Sequence, residues 1–252
     1  MSTGGGDTIQ SIAARVRELT QENQKLFTEV SAAQRRFRSI SRSAWRVQED
    51  ERRRLARELH DGIGQLLVAL KNHLEGARRA GAPDGVVDGA LEMVGQALHD
   101  TRELSRLLRP AVLDDLGLEP ALRWLARSVG ERFGIEVDLH LSGLDERIDR
   151  EVETLAFRIV QEALTNVAKH SGARAARVEI ERSPARLAIR VADQGRGFDP
   201  RRLLDSEDGE AGVGLRGMRD RAELFGGSLR VDAREGDGTR IDVAVPLVDL
   251  QP

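Results

Sequence analysis

Residues 55–65 read LARELHDGIGQ and decide the fold, because they place a histidine, an aspartate and two glycines inside one helix. The apolar residues from Leu55 to Leu74 recur every three or four positions, which is typical of an amphipathic helix. His60 lies about a quarter turn from this stripe, so its imidazole is expected at the exposed edge. Asp61 can hold one ring nitrogen protonated and so activate the other as a nucleophile. A surface histidine without a catalytic role would show the same pattern.

Upstream of this stretch, apolar residues alternate in steps of three and four from Ile9 to Val47. Such a seam is typical of a coiled coil, and Asn23 at a core position favours a parallel dimer. A single amphipathic helix packed on its own chain is the alternative. The spacing breaks after Val47, where Glu51 and Arg54 occupy the next core positions, and a stutter describes this break.

Downstream, a turn at 81–85 precedes a second amphipathic helix from Val87 to Leu108. Two helices joined by a short turn form an antiparallel hairpin. Two such hairpins in a dimer would bury each other's apolar stripes as a four-helix bundle.

The remainder of the chain changes to a mixed pattern, so we expect an α+β protein overall. Helices are predicted at 122–133, 150–170 and from Gly214 to Phe225, and strands at 135–141, 177–181, 187–192, 228–233 and 240–246. A glycine-rich polar loop is predicted between Gly195 and Gly214. Helices on one face of a mixed sheet, an α/β sandwich, would satisfy this order.

Three polar residues of the predicted helix 150–170 share one face, namely Glu162, Asn166 and His170 at spacings of four. They could form a solvated helix face. An asparagine amide oxygen among carboxylates is also an acceptable ligand for Mg²⁺.

Two glycine segments follow. Asp193 begins DQGRG directly after a strand, and GVGLRGM at 212–218 opens a helix, where glycines let phosphate oxygens approach backbone amides. The chain has no P-loop motif, and the glycines come too late after their strand for a dinucleotide fingerprint.

Composition excludes several classes of protein. The 252 residues contain no cysteine, which excludes disulfide frameworks and thiolate zinc sites. A net charge of -3 argues against a general nucleic-acid binder. No apolar run is long enough to span a membrane, so we expect a soluble chain.

Together and in this order, the segments resemble the sensor histidine kinases of two-component systems, closely the NarX- and DesK-like subgroup, over residues 48–247. Residues 51–61 are similar to the phosphoacceptor box, 108–118 to the inter-domain segment and 162–171 to the N box. Segments 193–197 and 212–218 are similar to the glycine boxes of the Bergerat-type ATP fold, also called GHKL. The domains expected are a flexible N-terminus (1–7), a coiled coil for signal input (8–47), a dimerisation and phosphotransfer hairpin (48–109), a linker (110–118), an ATP-binding domain (119–249) and a tail (250–252).

The resemblance implies ATP and Mg²⁺ as cofactors. It implies that His60 accepts the γ-phosphoryl group, that Asp61 orients and activates it, and that Glu162 is a base or organises water. Gln65, one turn after Asp61, would align water for dephosphorylation, although it could simply occupy the helix surface. Residues implied to bind the nucleotide are Asn166 (also through Mg²⁺), Lys169, His170, Asp193 (at the adenine amino group), Gly195, Gly197, Gly212, Gly214, Leu215, Gly217, Met218 and Thr239 (through water).

The implied partners are a second copy of the chain and the receiver domain of a response regulator, with a helix-turn-helix output domain expected. Two other classes stay open: a GHKL serine kinase or ATPase would share the nucleotide boxes without needing His60, and a non-catalytic dimeric adaptor would show eroded boxes. Family members normally carry a sensor ahead of this core. We therefore expect either a cytosolic kinase signalled through the coil or a fragment of a longer one.

Overall fold

A computed structural model describes residues 4–81, 84–108, 111–199 and 210–247. The predicted tail and the Arg109-Pro110 pair lie outside these residues. The chain divides into two units, Met1–Gln48 and Glu49–Pro252. Within the described ranges, no helix combines the length and the apolar character needed to cross a membrane.

Helix α1 spans Gly4–Glu58. Its residues up to Gln48 belong to the first unit, and its last ten residues belong to the second. Residues 4–7, predicted to be flexible, are therefore helical. The seam leaves Leu26 and Phe37 52% and 72% exposed. Because the structure describes one chain, pairing of this seam in a parallel coiled coil stays a prediction.

The hairpin follows in the second unit. A π-helical turn, Leu59–Gly64, leads into α2 (Gln65–Arg79), and α3 (Asp84–Leu108) packs back against both. The Ser105 hydroxyl donates a hydrogen bond to the Ala56 carbonyl over 2.8 Å and joins the two arms. Leu66 on the outer stripe is 72% exposed, and assembly of a four-helix bundle stays a prediction.

The π-turn departs from the continuous α-helix that the sequence predicted. A Cβ atom added at Gly62 would meet no atom within 4 Å, and one at Gly64 would lie 3.6 Å from the Leu59 carbonyl oxygen. Sterics therefore do not require these glycines. Because glycine has a low helix propensity, the free-energy cost of leaving α-helical geometry is small at this point.

The predicted linker 110–118 contains a short helix, α4 (Ala111–Asp115). Helix α5 (Leu118–Phe133) begins four residues before the predicted position. Gly117 between them has a φ of 94°, in the left-handed region, and an added Cβ atom would lie 2.9 Å from Cδ of Arg147. This turn therefore requires glycine.

Five strands form one mixed sheet in the order β1-β2-β3-β5-β4. The strands are β1 (Glu136–Ser142), β2 (Ala175–Arg182), β3 (Arg186–Asp193), β4 (Ser228–Arg234) and β5 (Gly238–Pro246). Strands β1 and β2 are parallel, and the other pairs are antiparallel. Val191 of β3 faces Ile241 of β5, and Asp193 faces Thr239.

Helix α6 (Arg150–Asn166) forms the centre of the core, with every residue from Val152 to Val160 buried. Asp149 caps its start by accepting hydrogen bonds from two backbone amides, over 2.9 and 3.2 Å. Buried and exposed residues alternate along β2 and β3, so one sheet face packs on helices and the other meets solvent. The predicted α+β architecture is confirmed.

Two helix predictions need correction around the candidate site. Helix α6 ends at Asn166 and continues as a π-helical segment, Val167–Ser171, that contains His170. Helix α7 (Glu210–Leu224) begins before the second glycine segment. Gly212 and Gly214 therefore lie in a helix and not in the predicted loop.

Candidate active site

An open pocket of about 180 Å³ lies between α6, strands β3 and β5, and α7. Its polar lining residues are Asn166, His170, Ser171, Asp193, Arg196 and Thr239. The remaining lining residues are Ala163, Val167, Val191, Gly197, Phe198, Leu215 and Ile241. A mostly apolar cleft with a few fixed polar groups suits a flat ring that carries hydrogen-bonding edges.

Asp193 ends β3 and is the buried carboxylate of this pocket, with 9% of its surface exposed. Its Oδ1 accepts a hydrogen bond from the Gly195 amide over 2.8 Å. Burial raises the pKa of the Asp193 carboxyl, and hydrogen bonds from the backbone at Gly195 and Thr239 oppose that rise. The carboxylate is thus held in place by the backbone, with acceptor capacity left for a ligand.

The loop after Asp193 approaches its neighbours so closely that side chains are excluded. The Arg196 amide donates to the Ser171 carbonyl over 2.8 Å, and a Cβ atom added at Gly195 would overlap that same carbonyl. Gly197 has a φ of 58°, and a Cβ atom there would overlap the Arg234 carbonyl. These two glycines shape the pocket through the backbone they bring together.

Helix α7 crosses the polar face of α6 at Gly214. A Cβ atom added at Gly214 would overlap Oε1 of Glu162 and lie 3.5 Å from Nδ2 of Asn166. The second glycine segment and the Glu162/Asn166 pair are therefore in direct contact.

Arg221 lies two turns further along α7. A Cβ atom added at Gly217 would lie 3.5 Å from its guanidinium. Burial lowers the pKa of Arg221, and the negative charge of Glu162 opposes this effect. Helix α7 thus brings both a glycine and a cation to the polar face of α6.

The structure brings six of the predicted binding residues to the pocket wall: Asn166, His170, Asp193, Gly197, Leu215 and Thr239. Gly195 and Gly214 shape it from behind. Lys169 is exposed and is not part of the wall, while Met218 is completely buried in the core. Gly217 faces Arg221, and the surroundings of Gly212 lie outside the description.

Sequence reasoning missed the apolar walls. Ala163 and Val167 are one turn apart on α6, and Val191 and Ile241 are cross-strand partners next to the Asp193 and Thr239 pair. These apolar residues lie near the predicted polar residues in the sequence, at helical spacing on α6 and at spacings of two on the strands, and this spacing could have identified them. The pattern alone would not distinguish a pocket wall from ordinary core.

His60, Asp61 and Gln65 are all exposed on the hairpin. The π-turn holds His60 and Asp61, and Gln65 is the first residue of α2. Leu59 is half-buried beside the exposed His60. Stripe residues such as Ile63 and Leu66 are exposed in the single chain as well, so the edge position of the imidazole in a bundle stays a prediction.

A resident metal centre is not built into the chain where it is described: no group of three or more His, Cys, Asp or Glu side chains converges there. Asn166 offers an amide oxygen, and Glu162 lies near the same glycine. Such a donor set fits an ion that takes its other ligands from phosphates and water, as Mg²⁺ does.

Comparison with known families matches two parts of the chain. Residues 51–113 match the family described as histidine kinase. Residues 151–249 match the family described as histidine kinase-, DNA gyrase B- and HSP90-like ATPase. The fold and site therefore define a histidine-bearing helical hairpin joined to an ATPase-type domain.

Three curated relatives extend this match. Sensor histidine kinase MctS of Rhizobium johnstonii is 37% identical over 87% of this chain and 48% of its own length. Oxygen sensor histidine kinase NreB of Staphylococcus carnosus is 36% identical over 81% and 58%. Signal transduction histidine-protein kinase/phosphatase DegS of Brevibacillus brevis is 35% identical over 80% and 52%.

The chain belongs to the NarX/DesK-like sensor histidine kinases. It spans about half the length of the curated relatives it matches.

Proposed function

We propose that this chain is the catalytic part of a cytoplasmic, homodimeric histidine kinase that phosphorylates His60 with ATP. It then passes the phosphoryl group to an aspartate of a separate response regulator, whose output domain we expect to be a helix-turn-helix. One observation carries the proposal: an exposed His60-Asp61 pair and a pocket with a buried aspartate occur in one compact unit.

The pocket's own residues account for nucleotide binding. Adenine presents an amino donor and two flat apolar faces. The backbone-fixed Asp193 carboxylate can accept from that amino group, while Val191 and Ile241 contact the ring. Thr239, beside Asp193, can reach the ring through water.

Residues at the contact between α6 and α7 would bind the phosphate groups of the nucleotide. Asn166 would supply the amide oxygen for Mg²⁺, which neutralises charge on the transferred group when bound. Glu162 lies against Gly214 and would take a proton as a base or organise the water molecule that does so. The absence of a side chain at Gly214 keeps both residues in place.

Transfer of the γ-phosphoryl group needs a nucleophile that is exposed, so that it and the bound ATP can come into contact. A nitrogen of the exposed His60 imidazole forms the N–P bond as the P–O bond to ADP breaks, and ADP leaves. Asp61 holds the ring orientation, stabilises the positive charge that develops on the imidazole and takes the N–H proton that the phosphorylated ring releases. The receiver aspartate later takes the phosphoryl group from the same nitrogen.

Dephosphorylation of the regulator is a second proposed activity. Gln65 is exposed at the start of α2, four residues after Asp61, and its amide can both donate to and accept from a water molecule. The Brevibacillus brevis relative is named as both a kinase and a phosphatase, which supports this proposal.

Incubation with γ-labelled ATP tests the kinase proposal. We expect acid-labile, alkali-resistant label on the wild type and none on His60→Gln, with nucleotide binding unchanged because the acceptor lies outside the pocket. His99→Gln, an exposed histidine on α3, is the matched control and should label normally.

Other outcomes contradict the proposal in different ways. Alkali-resistant label on His60→Gln would move the acceptor to another histidine. Acid-stable label would indicate a serine kinase. No label and no nucleotide binding would indicate an adaptor.

A further inference from the structure

A buried ion pair joins the hairpin to the ATP-binding domain. Nε of Arg158 on α6 lies 3.0 and 3.1 Å from the two carboxylate oxygens of Glu49 on α1, and Nη2 lies 2.8 Å from Oε2. Their side chains are only 5% and 6% exposed. The geometry is bidentate, which fixes orientation as well as distance.

Further contacts surround this pair. Nη2 of Arg158 also donates to the Leu108 carbonyl at the end of α3, over 2.5 Å. Arg53 on α1 pairs with Asp114 of α4 over 2.8 Å. Arg147, just before α6, donates to the Asp114 carbonyl over 3.4 Å, so α4 is held from both domains.

The contact lies at the base of the hairpin and not at the phosphoacceptor. Glu49 precedes His60 by eleven residues, about 16 Å of helix. The π-turn that carries His60 packs on α2 and α3, and His60 remains exposed. In this arrangement the imidazole is open to an incoming receiver domain.

We propose that Glu49 and Arg158 form a latch that holds the ATP-binding domain at the base of the hairpin, in a state that favours dephosphorylation over autophosphorylation. The inference rests on the proposed function. Both residues are positioning residues: neither contacts the pocket, and Arg158 acts through α6, on which Glu162 follows it by four residues.

An ion pair suits a contact that must open. A buried pair adds little net stability compared with apolar residues, because both charges lose their water on docking and regain it on release. Removing one partner takes away the bidentate contact of a buried charge and leaves it with weaker partners, such as Arg52 at 3.4 Å from Glu49, which disfavours the docked state.

Two single substitutions and one matched control test the latch in the full chain. Arg158→Gln and Glu49→Gln should each raise the autophosphorylation rate at least fivefold and lower phosphatase activity. Hydrogen exchange of α4 should rise in both, because undocking breaks its ion pair with Arg53 and leaves only its packing on α5 and α6. Asp242→Asn, which breaks the exposed pair with Arg190, should change none of these three quantities.

A crosslink provides the opposite perturbation and does not depend on the folding of either variant. The chain has no cysteine, so Arg53→Cys with Asp114→Cys can be joined by a short bis-maleimide. Locking this pair should lower autophosphorylation at least fivefold relative to the same protein before crosslinking, while nucleotide binding persists.

The exchange, labelling and crosslinking results distinguish the latch from its alternatives. Unchanged exchange of α4 in Arg158→Gln and Glu49→Gln would show that the pair does not hold the domains together. Raised exchange with slower autophosphorylation, or a crosslinked protein that labels faster, would show that the docked state is the kinase state and overturn the proposal. Absence of label on wild-type His60 would refute the proposed function instead, and the exchange data would still decide whether a latch exists.

Discussion

Gly214→Ala adds one methyl group at the contact between α7 and the polar face of α6. The new Cβ atom would overlap Oε1 of Glu162 and lie 3.5 Å from Nδ2 of Asn166. Oε1 is the end of a flexible side chain, so Glu162 can rotate away. The substitution therefore tests whether the position of Glu162 matters for catalysis.

The expected effect on stability is small. Replacing glycine by alanine inside a helix gains about 0.8–1.0 kcal/mol. Moving Glu162 out of its rotamer costs about 0.5–1.5 kcal/mol. The two contributions nearly cancel, so we expect the midpoint of thermal unfolding to change by less than about 4 °C. Autophosphorylation should nevertheless fall at least tenfold, because proton transfer by a positioned side chain contributes about 10²–10⁴-fold.

Gly95→Ala, inside α3, is the matched control. A Cβ atom there would meet nothing within 4 Å, so this variant should be stabilised by about 2–4 °C and stay active. Scanning fluorimetry and γ-labelled ATP measure both quantities. Autophosphorylation of Gly214→Ala within twofold of wild type would refute the assigned role of Glu162, and equal losses in both variants would show that the loss does not come from Glu162.

Two further predictions concern the pocket and the hairpin. Burial raises the pKa of Asp193, so the charged carboxylate lowers folding stability as pH rises through the folded pKa. Asp193→Asn should therefore have a higher melting temperature than wild type at pH 7 without nucleotide. The melting temperatures of the two proteins should converge toward pH 4. The same variant should lose about 10–100-fold in ATP affinity, because one hydrogen bond to a charged group is lost, and unchanged affinity by calorimetry would remove Asp193 from adenine recognition. Gln65→Ala should leave autophosphorylation within a few-fold of wild type but slow dephosphorylation of a purified phosphorylated regulator by about tenfold, or 1.4 kcal/mol. Gln96→Ala on α3 is the control and should not slow dephosphorylation. Equal dephosphorylation rates for Gln65→Ala and wild type would rule out the role of Gln65.

Local patterns predicted most of the secondary structure. The strands predicted at 177–181 and 240–246 extend to Ala175–Arg182 and Gly238–Pro246, because alternation of apolar and polar residues is visible without tertiary context. Helix starts were less predictable. Helix α5 begins at Leu118 because Gly117 adopts a left-handed turn against Arg147, a contact with a residue thirty positions away.

Long-range charge pairing had no signal in the sequence. Glu49 and Arg158 are 109 residues apart, and each lies among other charged residues. Only the fold shows that this one pair is buried while most others, such as Arg190 and Asp242, lie on the surface. The polar pocket residues could be predicted because a resemblance supplied them, whereas the latch has no such motif.

The two chemistry-bearing helices leave α geometry at the residues that matter, and this explains where helical periodicity fails. His60 lies inside one π-turn, and Asn166 directly precedes the other. At the second, the Ser171 hydroxyl donates to the Val167 carbonyl over 2.8 Å and accepts from the Ala173 amide over 2.9 Å, which fixes the end of the segment. The Ser171 carbonyl then accepts from Arg196, and that approach is what excludes a side chain at Gly195. An irregular helix end thereby builds one wall of the pocket, and π-turns of this kind occur frequently at functional sites because a regular helix could not present the same groups.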